Sequence, residues 1–163
     1  MKNPFTSVLG KTKDKIIYVK TYKNALPVIF AAGMCDSYAR TILDLAAEAM
    51  DRNNECTVCY ADLDKVLGIK QPKTRTKAIN LLRVLGLVET VNGNRKGVIL
   101  FRLNSRAFGN SSEINSKTDG RFCEPLNKCA LDADGMINKK YVETYRFYEK
   151  SQAKVELYVG IDF

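Results

Sequence analysis

Apolar positions along the chain fall into alternating helical and extended patterns, and their order is the most informative feature of the sequence. In DSYARTILDLAAEAMDRNN (residues 36–54), Ala39, Ile42, Leu45, Ala46 and Ala49 recur at helical spacing, with Asp36 or Ser37 placed to cap the first turn. ECTVCY is short and favours extended backbone. ADLDKVLG predicts a second helix with Leu63, Val66 and Leu67 inward and Gly68 at its end. Residues 69–72 predict a turn, because a proline restricts its predecessor to extended geometry. A third helix is predicted from about Lys73 to Leu85, ending at Gly86. LVETVNGNRKGVILFRLN then shows two β-rich runs around an Asn-Gly dipeptide, a strong hairpin signal.

Upstream, IIYVKTY (16–22) alternates as a short strand. NALPVIFAAG (24–33) predicts a short helix with Asn24 as N-cap, Pro27 in the first turn and Gly33 as the stop. It is apolar nearly all round, so burial is expected. Downstream, SRAFGNSSEINSKTDG reads as a linker or loop. A helix is expected from Met136 to Ala153, and VELYVGIDF closes the chain as a strand. Four regions follow: 1–35, a basic strand and helix packing on the core; 36–104; a linker over 105–125; and a C-terminal helix and strand over 126–163.

Helix, short strand, helix, turn, helix, hairpin is the order of a winged helix-turn-helix. The expected fold class is therefore α+β, a three-helix core with a β-hairpin wing and a short C-terminal extension. In such a unit the third helix enters the major groove of DNA, and the wing reaches adjacent phosphate or minor groove. Ile79, Leu82 and Leu85 would hold that helix to the core, leaving Thr74, Thr76, Lys77 and Asn80 outward.

Charge sharpens this picture. The net charge is +8, and residues 70–106 carry nine positive charges against the single Glu89. Residues 36–69 carry three positive and seven negative charges. Positive charge confined to one segment points to a polyanion-facing surface, whereas an even spread usually serves solubility. KQPKTRTK (70–77) is the densest cluster and spans the turn and the first half of the third helix. The expected DNA-binding residues are Lys70, Lys73, Thr74, Arg75, Thr76, Lys77 and Asn80, and Asn94, Arg95 and Lys96 at the wing tip.

The remaining chemistry is sparse. With no His in the chain, His-metal nucleases and Ser-His or Cys-His hydrolases are excluded. The five Cys are an odd number, so a disulfide framework is not expected. CTVC has the spacing of a zinc or redox pair. A structural zinc needs four ligands, however, and Cys123 and Cys129 are wrongly spaced. The expectation is a buried core cysteine, with no metal or cofactor. Tyr141, Tyr145 and Tyr148 share helical spacing, which more often means packing than a nucleophile or a base-stacking platform. Asp36, Asp44, Glu48, Asp51, Glu55, Asp62 and Asp64 are expected on outward faces of two helices, not in a catalytic Mg²⁺ cluster. No catalytic constellation is visible, and an enzyme is not expected. No apolar run reaches the eighteen or so residues of a membrane span, and the N-terminus has no apolar leader core, so a cytoplasmic location is expected.

YVKTY, the short apolar helix, Gly33, ARTILDLAAEAMDRNN and LGIKQPKTRTKAINLLRVLGLVE followed by a hairpin together resemble RepL-type plasmid replication proteins, small winged-helix proteins of mobile elements. The similarity covers roughly residues 16–104, and winged-helix repressors share much of it from Asp36 onward. It implies replication initiation or copy control on a plasmid, phage or satellite. Transcriptional regulation by the same fold stays open, as does a winged helix that docks on a protein. The expected partners are double-stranded DNA, a second copy of the chain through residues 126–163, and host replication or transcription machinery.

Overall fold

The computed structural model describes residues 2–8, 19–93, 95–109 and 121–145. Its elements are β1 (Thr6–Ser7), β2 (Lys20–Thr21), α1 (Leu26–Cys35), α2 (Ser37–Ala49), β3 (Glu55–Cys59), α3 (Tyr60–Leu67), α4 (Pro72–Val84), β4 (Val88–Asn92), β5 (Val98–Leu103), β6 (Phe108–Gly109) and α5 (Lys139–Thr144). The chain is α+β, built on an antiparallel four-stranded sheet in the order β1-β3-β5-β4. A separate ribbon pairs β2 with β6, Lys20 opposite Gly109. From residue 37 to 103 the elements run helix, strand, helix, turn, helix, hairpin, as the apolar pattern requires.

Local chemistry sets the boundaries. The Asp36 carboxylate accepts the amides of Tyr38 and Ala39 at 2.9 and 3.3 Å, satisfying two donors at the open end of α2. Gly68 ends α3 at φ 68°, a left-handed conformation that costs glycine little. Pro72 opens α4, where its missing amide removes no helical bond. Gly86, at φ 75°, ends it, and the Leu87 amide reaches back to the Leu82 carbonyl.

The core lies between the helices and one face of the sheet. Ile42, Leu43, Leu63, Leu82, Leu85 and Phe101 are fully buried in it. Phe101 sits on the middle strand opposite Cys56 and Thr90, and Phe5 meets its ring edge-on at 5.1 Å. Cys56 is buried with its Sγ donating to the Ala46 carbonyl at 3.6 Å, and burial pushes its thiol well above the ordinary range. Cys59, three residues on, is only half-buried.

Several elements differ from the pattern reading. Gly33 does not stop α1 but lies inside it, where a Cβ would come within 3.4 Å of the Arg40 Cβ. That is close to ordinary contact with a flexible side chain, and Gly33 has no left-handed backbone to stop the helix. Ala25 takes the N-cap position without a side-chain bond, and Asn24 does not cap the helix. Nor is α1 buried all round, since Phe30 and Met34 are 62% and 74% exposed. The final helix begins at Lys139, three residues after Met136, because a turn held by Asp132 precedes it and Asn138 caps it.

The ends of the stretch assigned to a linker are packed: Ala107, Phe108 and Phe122 are buried. Lys20 and Thr21 form the described part of the strand expected over 16–22. The final helix ends at Thr144, where Tyr145 takes extended backbone, short of the expected Ala153. Positions 16–18, 110–120 and 146–163, with Tyr148 and VELYVGIDF, lie outside the described residues.

Candidate nucleic-acid interface

The face that α4 turns away from the core is basic in its first half and covered in its second. Ala78, Ile79, Leu81, Leu82, Val84 and Leu85 are buried, fixing the helix by its apolar side. Lys73, Thr76 and Lys77 are exposed, Lys70 is exposed in the preceding turn, and Thr74 and Asn80 are half-buried. Asn80 Oδ1 accepts from Arg83 Nη1 at 3.3 Å. Arg83 is half-buried, and burial lowers its pKa.

Arg75 stands apart from this set. Its Nη1 donates to Asp64 Oδ2 on α3, and its guanidinium lies over the Tyr60 ring at 4.1 Å. The side chain is only 13% exposed. Arg75 therefore holds α3 against α4 and is not part of the exposed basic face. Tyr60 is itself buried enough that its hydroxyl titrates above its ordinary range, although Arg75 and Arg83 pull it down.

The hairpin turns at Gly93–Gly97, where Arg95 and Lys96 are exposed and Asn94 lies outside the described residues. Gly97 takes φ 83°, and its carbonyl accepts the Tyr60 amide at 2.9 Å. That bond ties the hairpin to the first residue of α3.

Among the nine positive charges of residues 70–106, a second is internal. Arg102 on the middle strand is buried between Glu55, at 2.8 Å, and Glu89, at 3.6 Å, on the flanking strands. Arg121 Nε approaches Glu55 from outside at 3.4 Å.

The acidic residues correct the expectation of outward helix faces for four of the seven. Asp44, Glu48 and Asp62 are exposed. Asp36 caps α2, Asp51 accepts the amides of Asn53 and Glu55 in the turn after it, Glu55 is buried against Arg102, and Asp64 holds Arg75. The Asp36 cap was expected; turn bonding and pairing between elements carry no helical periodicity, so the pattern reading missed the roles of Asp51, Glu55 and Asp64.

Beside the exposed face of α4 lies an open cleft of about 640 Å³. One wall is Lys73, Thr76, Lys77, Asn80 and Leu81; the other is Ile137, Lys139, Val142, Glu143 and Tyr145 from the C-terminal segment, with Cys35 and Asp36 completing it. Sequence reasoning placed no site residue in this second wall. The only local signal was the Lys139-Lys140 pair, which looks ordinary in a tail of mixed charge. Compared with known proteins, the chain matches no family model, and no curated protein or solved structure shows significant similarity to it.

Proposed function

We propose that the chain is a sequence-reading, double-stranded DNA-binding protein of winged-helix type that acts in replication initiation or control on a plasmid, phage or satellite. The observation that carries the proposal is the division of α4. Its apolar side is locked in the core, while Lys73, Thr76 and Lys77 project from its first half, the part of a reading helix that meets base edges. The pairing of β3 with β5, the second strand of a hairpin whose turn carries exposed Arg95 and Lys96, supports the winged-helix reading. The replication role rests on the resemblance to RepL-type proteins, and transcriptional control by the same surface is its alternative. A homodimer on two half-sites belongs to the proposal, because helix readers of this kind commonly bind so.

Sequencing the DNA that co-purifies with tagged protein in its host tests this directly, and an enriched site is the expected result. On that site, Thr76→Ala and Lys77→Ala should weaken cognate binding more than binding to scrambled duplex, since a good base contact discriminates by about 1–3 kcal/mol. Arg95→Ala with Lys96→Ala should weaken both duplexes alike, as phosphate contacts do. No enriched DNA, and no effect of either set on affinity, would favour a protein-docking role.

A further inference from the structure

The cleft beside α4 has a consequence for how DNA would sit. An α-helix with side chains is about 10–12 Å across, and the major groove is about 12 Å wide, so a helix lying in it has a phosphate backbone on each flank. The two flanks of α4 are built from different parts of the chain. Arg75 marks one: it bonds to Asp64 and covers Tyr60, whose amide is tied to Gly97 of the hairpin. Arg95 and Lys96 therefore belong to that side. Lys77, two residues on, lies about 200° further round the helix. It faces the cleft, whose far wall is the C-terminal segment.

We infer that residues 137–145 form the second wall of the DNA-binding surface, with Lys139 contacting a phosphate on the flank of α4 opposite the hairpin. The inference rests on the DNA-reading role proposed above. The wall is anchored to the reading helix itself. Asn127 donates its side-chain amide to the Val84 carbonyl at 3.0 Å and its backbone amide to the Leu85 carbonyl at 3.0 Å. The same side-chain amide reaches the Tyr141 hydroxyl at 3.2 Å, and Asn138 Oδ1 accepts the Tyr141 amide at 3.1 Å. Ile137 is buried against the core. Lys139 is thus an exposed cation on a fixed backbone, lining the same cleft as Lys73 and Lys77.

Two acids share the cleft. Asp36 is engaged with the amides of Tyr38 and Ala39. Glu143 lies one turn beyond Lys139 and is exposed, so its carboxylate opposes an incoming phosphate and holds affinity down. The C-terminal segment then sets binding strength in both directions.

Titrations of a short random-sequence duplex over a salt series test this, because a phosphate contact needs no particular sequence. Lys139→Ala should lower affinity several-fold and flatten the slope of log K against log salt by about one unit. Lys139→Arg should keep the slope, and Glu143→Gln should raise affinity at low salt. Both side chains are exposed, so unchanged thermal melting is expected and is checked alongside. If Lys139→Ala changes neither affinity nor slope while Lys77→Ala and the Arg95/Lys96 double variant lower both, the second wall does not touch DNA. If the unaltered protein does not retain the duplex at all, the DNA-reading role fails, and this inference with it.

Discussion

Arg102 is one of the nine positive charges of residues 70–106, and its surroundings give it a structural task. On the middle strand it sits opposite Glu55 on one neighbour and Glu89 on the other, with its side chain 5% exposed. Removing one partner of a buried pair leaves the other charge desolvated. Arg102→Ala should therefore cost about 3 kcal/mol or more, read as a lower midpoint in urea. Cys56 makes a different residue-scale prediction. Burial raises its pKa above the ordinary value of 9.0, with Asp51 and Glu55 adding to the rise. The unfolded thiol ionises before the folded one, so the stabilising contribution is complete below that value and is lost as pH climbs through the raised one. Tyr60, raised from its ordinary 10.0, acts in the same direction. Thermal midpoints should fall as pH passes 9.0, and less steeply in Cys56→Ala.

Among the elements, α1 and α4 show what periodicity can and cannot reveal. In α4 the apolar spacing separated inward Ile79, Leu82 and Leu85 from outward Thr76 and Lys77, because one face is apolar and the other polar. The same spacing said nothing about Arg75, whose role depends on Asp64 and Tyr60 from another helix. Arg75→Ala should lower stability and weaken DNA binding through loss of helix alignment. Arg75→Lys should restore little, because lysine cannot supply both a planar donor fork and the same stacking on Tyr60. In α1 the sequence is apolar on every side, so nothing distinguished the buried face from the exposed one. Val28 and Ile29 prove to be inward, and Phe30 and Met34 outward. Ile29→Ala should cost about 3 kcal/mol, whereas Phe30→Ser and Met34→Ser should stay within about 0.5 kcal/mol. Chemical denaturation of the three variants distinguishes these values.

At the scale of the whole molecule, element order was legible because each helix and strand carries its own apolar period and its own stop signal, such as Gly68 or Gly86. What joins the elements was not. Asn104 is fully buried, donating to the Gly86 and Glu124 carbonyls at 2.8 and 2.7 Å and accepting the Arg106 amide. Asn54 holds φ 59° while its side chain reaches the Phe108 carbonyl at 3.0 Å. A single asparagine has no pattern, and composition alone reads Ser-, Asn- and Gly-rich sequence as loop. The packing of Phe122, Ala130 and Ile137 predicts that a chain ending at residue 110 melts well below the full chain, measurable by circular dichroism.

The two carbonyls at the end of α4 that Asn127 occupies make the last described segment a reporter as well as a wall. A ligand that binds α4 only in its folded arrangement stabilises what that arrangement is bonded to, by an amount that grows with ligand concentration relative to its dissociation constant. Deuterium uptake at the amides of residues 127–131 should therefore slow when duplex is added, even though none of them needs to touch a nucleotide. Under the same linkage, a variant that pulls this segment away should weaken from behind the DNA binding proposed for α4.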